Sequence, residues 1–177
     1  MKITGVSGSP RKDSNTDTLI NAVLNSATEN GAETQLFRIN DLNIKPCQSC
    51  YYCKEKGVCK YQDDYVEIVK AIDESDVFVV GSPIYFSEVT AQLKTFIDRF
   101  YSIVNNQGIN TKLVLVYVQA NPDETLYKPY IEAQSNMLGN IGFEVIDIIH
   151  GYGIPEIENL DENKEFLEKA KEIGANL

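Results

Sequence analysis

Apolar and polar residues alternate between two periods along this chain. Lys2 to Ser7 reads as a short strand running into Gly8-Ser9-Pro10. Leu19, Ile20, Val23, Leu24 and Ala27 then recur at helical spacing, and Gly31 follows as a stop. Glu33 to Ile39 alternates like a second strand, and Tyr65, Ile68, Val69 and Ile72 mark a second helix with Asp63 and Asp64 at its positive end. Val77 to Val80 is a continuous apolar run, as expected of a strand buried on both faces, and Gly81-Ser82-Pro83 ends it. A third helix carries Val89, Leu93, Phe96, Ile97 and Phe100 on one face, and Leu113 to Val118 is the fourth strand. A helix with Tyr130, Ala133, Met137 and Ile141, with Pro129 in its first turn, precedes a fifth strand at Phe143 to Ile149. The last helix spans roughly Asp161 to Ile173, with Phe166, Leu167, Ala170 and Ile173 inward and its charges on a solvated outer face.

Five strands alternating with helices specify an α/β fold, a doubly wound parallel sheet covered on both faces. Five strands suit the order 2-1-3-4-5, in which ligands bind beyond the carboxyl ends of the strands, between the first and third. Without repeats, low-complexity segments or a dividing linker, the 177 residues form a single domain. The net charge of −10 gives no electrostatic reason to bind nucleic acid or an anionic membrane surface. The N-terminus lacks the apolar run of a signal peptide, and no stretch approaches the roughly 18 apolar residues of a membrane span. The expectation is a soluble, cytoplasmic protein.

Four loops carry candidate chemistry. The first, GSPRKDSNTDT, is dense in hydroxyls around Arg11 and leads into a helix at about Thr16. Backbone N–H groups at a helix start, hydroxyl donors and a guanidinium suit a phosphate, although a polar turn capped by Ser14 or Asn15 explains the same residues. It is neither a nucleoside-triphosphate P-loop nor a dinucleotide fingerprint. The loop GSPIYF places Ile84, Tyr85 and Phe86 at a strand exit, a wall for a flat ligand or simply packing for the next helix. Gln119, Ala120 and Asn121, after the fourth strand, are small or polar enough to line the same crevice.

The fourth loop, PCQSCYYCKEKGVC, contains every cysteine in the chain: Cys47, Cys50, Cys53 and Cys59. Four readings stand side by side. Close C-x2-C-x2-C spacing wraps three thiolates around one side of a [4Fe–4S] cluster, with Cys59 as fourth ligand. Zinc accepts four thiolates equally well, though its sites usually separate two C-x2-C pairs. Disulfides are disfavoured in a reducing compartment. Free thiols without metal are the fourth. Lys45, Lys54, Lys56 and Lys60, opposed only by Glu55, make the segment locally positive in an acidic chain, which suits an anionic cofactor or the docking of an acidic electron-donor protein such as a ferredoxin.

Taken in order, GSPR-x3-NT, PCQSCYYC-x5-C, the Asp63-Asp64 pair and GSPIYF-x5-QLKTFIDR at Gly81–Arg99 resemble the flavodoxin-like NAD(P)H-dependent FMN reductase superfamily, and within it the iron–sulfur flavoprotein branch. The resemblance covers most of the first hundred residues. It implies a flavodoxin-like fold and bound FMN, with the phosphate on Ser9, Arg11, Ser14, Asn15 and Thr16. The ring would lie against Pro83, Ile84, Tyr85 and Phe86, with Gln119, Ala120 and Asn121 alongside. It implies a cluster on the four cysteines, and homo-oligomers, dimer or tetramer, in which a cluster approaches a neighbouring subunit's flavin. The function expected is flavin-dependent redox chemistry between one-electron carriers and two-electron acceptors. The alternatives are an NAD(P)H-dependent FMN or quinone reductase without a cluster, a non-enzymatic electron carrier, and a zinc-stapled interaction module. No acid–base residue is required, and His150 is expected to be structural. Tyr51 and Tyr52 either shield the cluster or cover the sheet edge.

Overall fold

The computed structural model describes residues 1–104, 111–155 and 164–177. Strands β1 (Lys2–Ser7), β2 (Glu33–Arg38), β3 (Val77–Tyr85), β5 (Lys112–Val118) and β6 (Glu144–Gly151) form a parallel sheet in the order β2-β1-β3-β5-β6. This is the 2-1-3-4-5 order expected, with one small addition. Strand β4 (Glu88–Val89) turns back antiparallel on the end of β3, off the main path.

The central strands divide their side chains between two cores. Val77, Val79, Val114 and Val116 face one cluster, while Phe78, Val80, Leu113 and Leu115 face the other. A strand covered on both sides has no reason to alternate with polar residues, which explains the unbroken apolar runs. Helices α1 (Asn15–Glu29) and α7 (Lys164–Asn176) cover the first face. Helices α3 (Tyr65–Asp73), α4 (Ala91–Ile97) and α6 (Lys128–Asn140) cover the second. Short helices α2 (Tyr52–Lys56) and α5 (Tyr101–Val104) lie by the cysteine segment. Among the described residues, no helix is long and apolar enough to cross a membrane.

Two boundaries differ from those read in the sequence, and one helix buries other positions than expected. Gly81-Ser82-Pro83 does not end the third strand: Ser82 and Pro83 continue in register with Tyr117 and Val118. Strand β1 stops opposite Gly81, so on that flank Pro83 interrupts no ladder. The third helix is shorter than its apolar spacing, because Thr90 caps it by accepting the Leu93 N–H and Val89 belongs to β4. Val89 and Phe100 are buried all the same, from a strand and a turn. On α6 the buried positions are Ile131 and Leu138, seven apart, and Ala133 is exposed. The expected start of the last helix at Asp161 lies outside the described residues; Phe166, Ala170 and Ile173 are buried within it, as anticipated.

Candidate functional site

The loops after β1, β2, β3 and β5 all leave the carboxyl edge of the sheet, because the strands are parallel. Two cavities form there and around the cysteine segment, and they share no lining residue.

The first lies at the start of α1. Ser14 is the N-cap, its hydroxyl accepting the Asp17 N–H at 3.1 Å while the Asp17 carboxylate accepts the Ser14 N–H at 3.3 Å. Thr18 N–H bonds the Ser14 carbonyl, which leaves the N–H groups of Asn15 and Thr16 without intrahelical acceptors. The loop before the helix is pinned from several sides. Gly8 N–H donates to the Gly81 carbonyl at 2.8 Å and Thr90 Oγ1 donates to the Gly8 carbonyl at 2.6 Å. A β-carbon on Gly8 would stand 2.6 Å from Cβ of Leu93, so only glycine lets the loop approach α4 this closely. Asp17, 3% exposed, also accepts from Ser7 Oγ and pairs with Arg38, whose other nitrogen holds the Arg11 carbonyl.

Ser9, Arg11, Ser14, Asn15 and Thr16 meet Pro83, Ile84, Tyr85 and Ala120 around this crevice, with Val118 and Ile154 completing it. Its enclosed part measures about 50 Å³, the scale of a phosphate rather than of a whole flavin. Three of the residues expected here stand outside the lining. Phe86 and Ser87 form a two-residue hairpin turn with φ of 50° and 72°, and that left-handed backbone turns the Phe86 side chain fully into solvent. Gln119 is buried and occupied elsewhere. Its Nε2 donates to the carbonyls of Asn121 and Asp123, and its Oε1 accepts from His150 Nε2 at 2.7 Å. Asn121 folds onto its own loop, its Oδ1 accepting the Asp123 N–H.

His150 therefore has a structural place, as expected. Burial pushes its imidazole below the ordinary value of 6.5, with the Glu124 charge pulling the other way. The unfolded chain takes the proton first as pH falls, so this histidine costs no stability above about pH 6.5 and progressively more below it. His150→Gln keeps an N–H for Gln119 and removes the titration. Urea unfolding at about pH 7.5 and about pH 5 is expected to show the parent losing more stability on acidification than the variant. Equal losses would assign the acid sensitivity to other groups.

The second cavity, about 300 Å³, is lined by all four cysteines. Tyr51 lines it as well, Tyr52 does not, and Tyr61, Arg99, Tyr101 and Ser102 close it from behind. The segment is strongly shaped: Ser49 and Tyr51 hold positive φ, and Gly57 ends α2 in the same region. Left-handed non-glycine residues cost energy that the surrounding structure must offset, and they concentrate at functional sites. The cysteines are all free of disulfides. Cys47 Sγ accepts from the Ser49 N–H at 3.5 Å and Cys59 Sγ from Arg99 Nη2 at 3.2 Å. The four do not close on a point: among the described residues no three Cys, His, Asp or Glu side chains are set to grip a single metal ion.

Asp64 is the N-cap residue of α3, but its side chain makes no cap hydrogen bond there. Asp64 accepts the Asn43 N–H at 2.6 Å and Asp63 accepts the Lys45 N–H at 2.9 Å, so both hold the entry to the cysteine segment. Burial pushes the Asp63 carboxyl up, but the Lys45 N–H and the Arg99 guanidinium outweigh it and hold the carboxyl below its ordinary value. Sequence reasoning assigned no role to Arg99, Asp17 or Arg38. Only Ser14-x-x-Asp17, a capping-box spacing, offered a signal for one of them.

The profile described as NADPH-dependent FMN reductase matches residues 1–126. An iron–sulfur flavoprotein of Archaeoglobus fulgidus is 31% identical over 180 residues, covering 100% of this chain and 79% of that protein. An iron–sulfur flavoprotein of Methanocaldococcus jannaschii is 46% identical over 99 residues, covering 56% of this chain and 51% of the relative, so this match spans about half of that protein's length. Among solved structures, an NAD(P)H:quinone oxidoreductase from Methanothermobacter marburgensis superposes with a TM-score of 0.75 at 19% identity, over 99% of this chain and 96% of that one. At that identity the likeness speaks for the fold. The profile and the relative that matches the whole of this chain speak for descent, and by them the chain belongs to the NADPH-dependent FMN reductase family, on its iron–sulfur flavoprotein side.

Proposed function

We propose that the chain is an FMN-binding iron–sulfur flavoprotein that passes electrons between one-electron carriers and two-electron acceptors. The observation that carries this reading is the placement of all four cysteines around one cavity of about 300 Å³ with hydrogen-bond donors aimed at two of the sulfurs. A zinc ion needs four sulfurs at about 2.3 Å from one centre, and sulfurs spread around a cavity of this size suit a cube better than a single ion. Cys47, Cys50, Cys53 and Cys59 would hold that cube. At the other cavity, the N–H groups of Asn15 and Thr16, the hydroxyls of Ser9 and Ser14 and the Arg11 side chain suit the phosphate of FMN, with Pro83, Ile84, Tyr85 and Ala120 beside it. FMN exchanges one or two electrons and a cluster one at a time, which is the chemistry that converting between the two kinds of carrier requires. The chain's own part is placement: α1 and its pinned loop orient the phosphate, and the cysteine segment gathers the sulfurs around a cavity that Tyr51, Tyr61 and Tyr101 also line.

Because the two cavities share no lining residue, we read the working form as a homo-oligomer in which one copy's cysteine cavity meets another's crevice. The solvent-facing Phe86, Tyr51 and Tyr101 are apolar surface available for that contact. Lys54 and Lys60 on the cavity rim suit an acidic donor protein. Protein purified without oxygen is expected to show flavin bands over a broad absorption that bleaches on reduction, with about four iron and about four sulfide per FMN. FMN without iron would instead make it a cluster-free NAD(P)H-dependent FMN or quinone reductase, and colourless protein would remove both cofactors.

A further inference from the structure

We propose that Arg99 is a positioning residue of the sulfur site, fixing Cys59 as the fourth ligand and setting the reduction potential of the cluster. This rests on the cluster reading above. Arg99 follows α4, far in sequence from the cysteines, and its side chain is 1% exposed. Nη1 reaches both Asp63 oxygens at 2.7 and 2.8 Å and the Lys45 carbonyl at 3.3 Å, while Nη2 reaches the Tyr61 carbonyl and Cys59 Sγ, both at 3.2 Å. One guanidinium thus ties the entry of the cysteine segment to its exit. Its plane lies against the Tyr65 ring, 4.0 Å from the centroid, so it has one available orientation. Nε has no partner, the only buried side-chain N or O so placed among the described residues, on a side chain that lines the cavity.

A buried arginine that merely stapled the loop would need Asp63 and the two carbonyls. The bond to sulfur adds something the staple does not require. A charged donor withdraws electron density from a ligand sulfur and favours the more negative, reduced cluster; net charge and hydrogen bonds to sulfur are the levers a protein holds over such a potential. The rim lysines are exposed and screened by water, whereas Arg99 is not. Asp63 opposes the effect by neutralising much of the guanidinium charge.

The two partners therefore carry opposite signs. In the full chain, loaded without oxygen, Asp63→Asn is expected to move the cluster's midpoint potential to a more positive value than the parent's, and Arg99→Gln to a more negative one. Arg99→Gln leaves Asp63 buried and unpaired, which endangers folding. The double variant Arg99→Gln, Asp63→Asn removes that charge and is expected to sit below Asp63→Asn. Potentials are read by anaerobic redox titration followed through visible absorption and electron paramagnetic resonance, with iron and sulfide counted per FMN. Opposite shifts support the inference, since a loosened loop has no reason to move the two variants apart. Loaded variants at the parent's potential, or shifted together in one direction, leave Arg99 a staple only and overturn it. A parent that holds FMN but no iron overturns the cluster reading itself, and this inference with it.

Discussion

Cys50→Ser is expected to strip most of the iron from the chain while FMN stays bound. All four cysteines lie between residues 47 and 59, so no fifth thiol is available to take over. A cluster with three thiolates and a serine hydroxyl has lost a soft, anionic ligand and gained a weak one. The fold has little stake in the change. Cys50 is exposed, and surface substitutions of this size fall within about 0.5 kcal/mol. The flavin crevice has even less, because none of its lining comes from the cysteine segment. Iron per FMN should therefore fall severalfold at constant flavin affinity, and the iron-free parent and variant should unfold at the same temperature. Unchanged iron would show that Cys50 is not a ligand, and loss of both cofactors together would show that the two cavities are coupled although they share no lining residue within one chain.

The layers of the fold were legible because burial on two faces writes itself into a run such as Val77 to Val80, and a single face into Leu19, Ile20, Val23, Leu24 and Ala27. What misled was punctuation. Gly81-Ser82-Pro83 reads as a stop, yet a proline beyond the end of one neighbouring strand does no harm to the other pairing. The hairpin that follows was invisible: its two turn residues are Phe86 and Ser87, where such turns favour glycine or asparagine. That turn is why Phe86 faces solvent instead of joining Ile84 and Tyr85. Candidate residues close in sequence to a loop were found, because the loop brings them together by itself. Asp63 with Arg99, and Asp17 with Arg38, are pairs made by the sheet and helices, 36 and 21 positions apart, and no local pattern announces them.

Asp17→Ala is expected to cost about 3 kcal/mol of stability and at least about tenfold in FMN affinity, the second through the first loop rather than through any contact with the cofactor. Asp17 does not line the crevice. It is 3% exposed and joins Ser7 at the end of β1, the Ser14 N–H at the helix start and Arg38 at the end of β2. Alanine removes the return half of the capping box and leaves the Arg38 guanidinium, side chain 19% exposed, with only its longer and more exposed pair to Asp41 at 3.3 Å. The partial exposure of Arg38 holds the stability loss to the lower end of what a broken buried pair costs. Arg38 also holds the Arg11 carbonyl, so the residue best placed to face the phosphate loses its backbone anchor. FMN must then order a loop that the parent presents already ordered, and affinity falls by that amount. Asp17→Asn, which keeps an acceptor for the Ser14 N–H but not the charge for Arg38, should fall between the two. Urea unfolding and flavin fluorescence titration on the same preparations decide it: a destabilised chain that binds FMN as tightly as the parent would mean that the loop, once loaded, does not depend on its buried carboxylate.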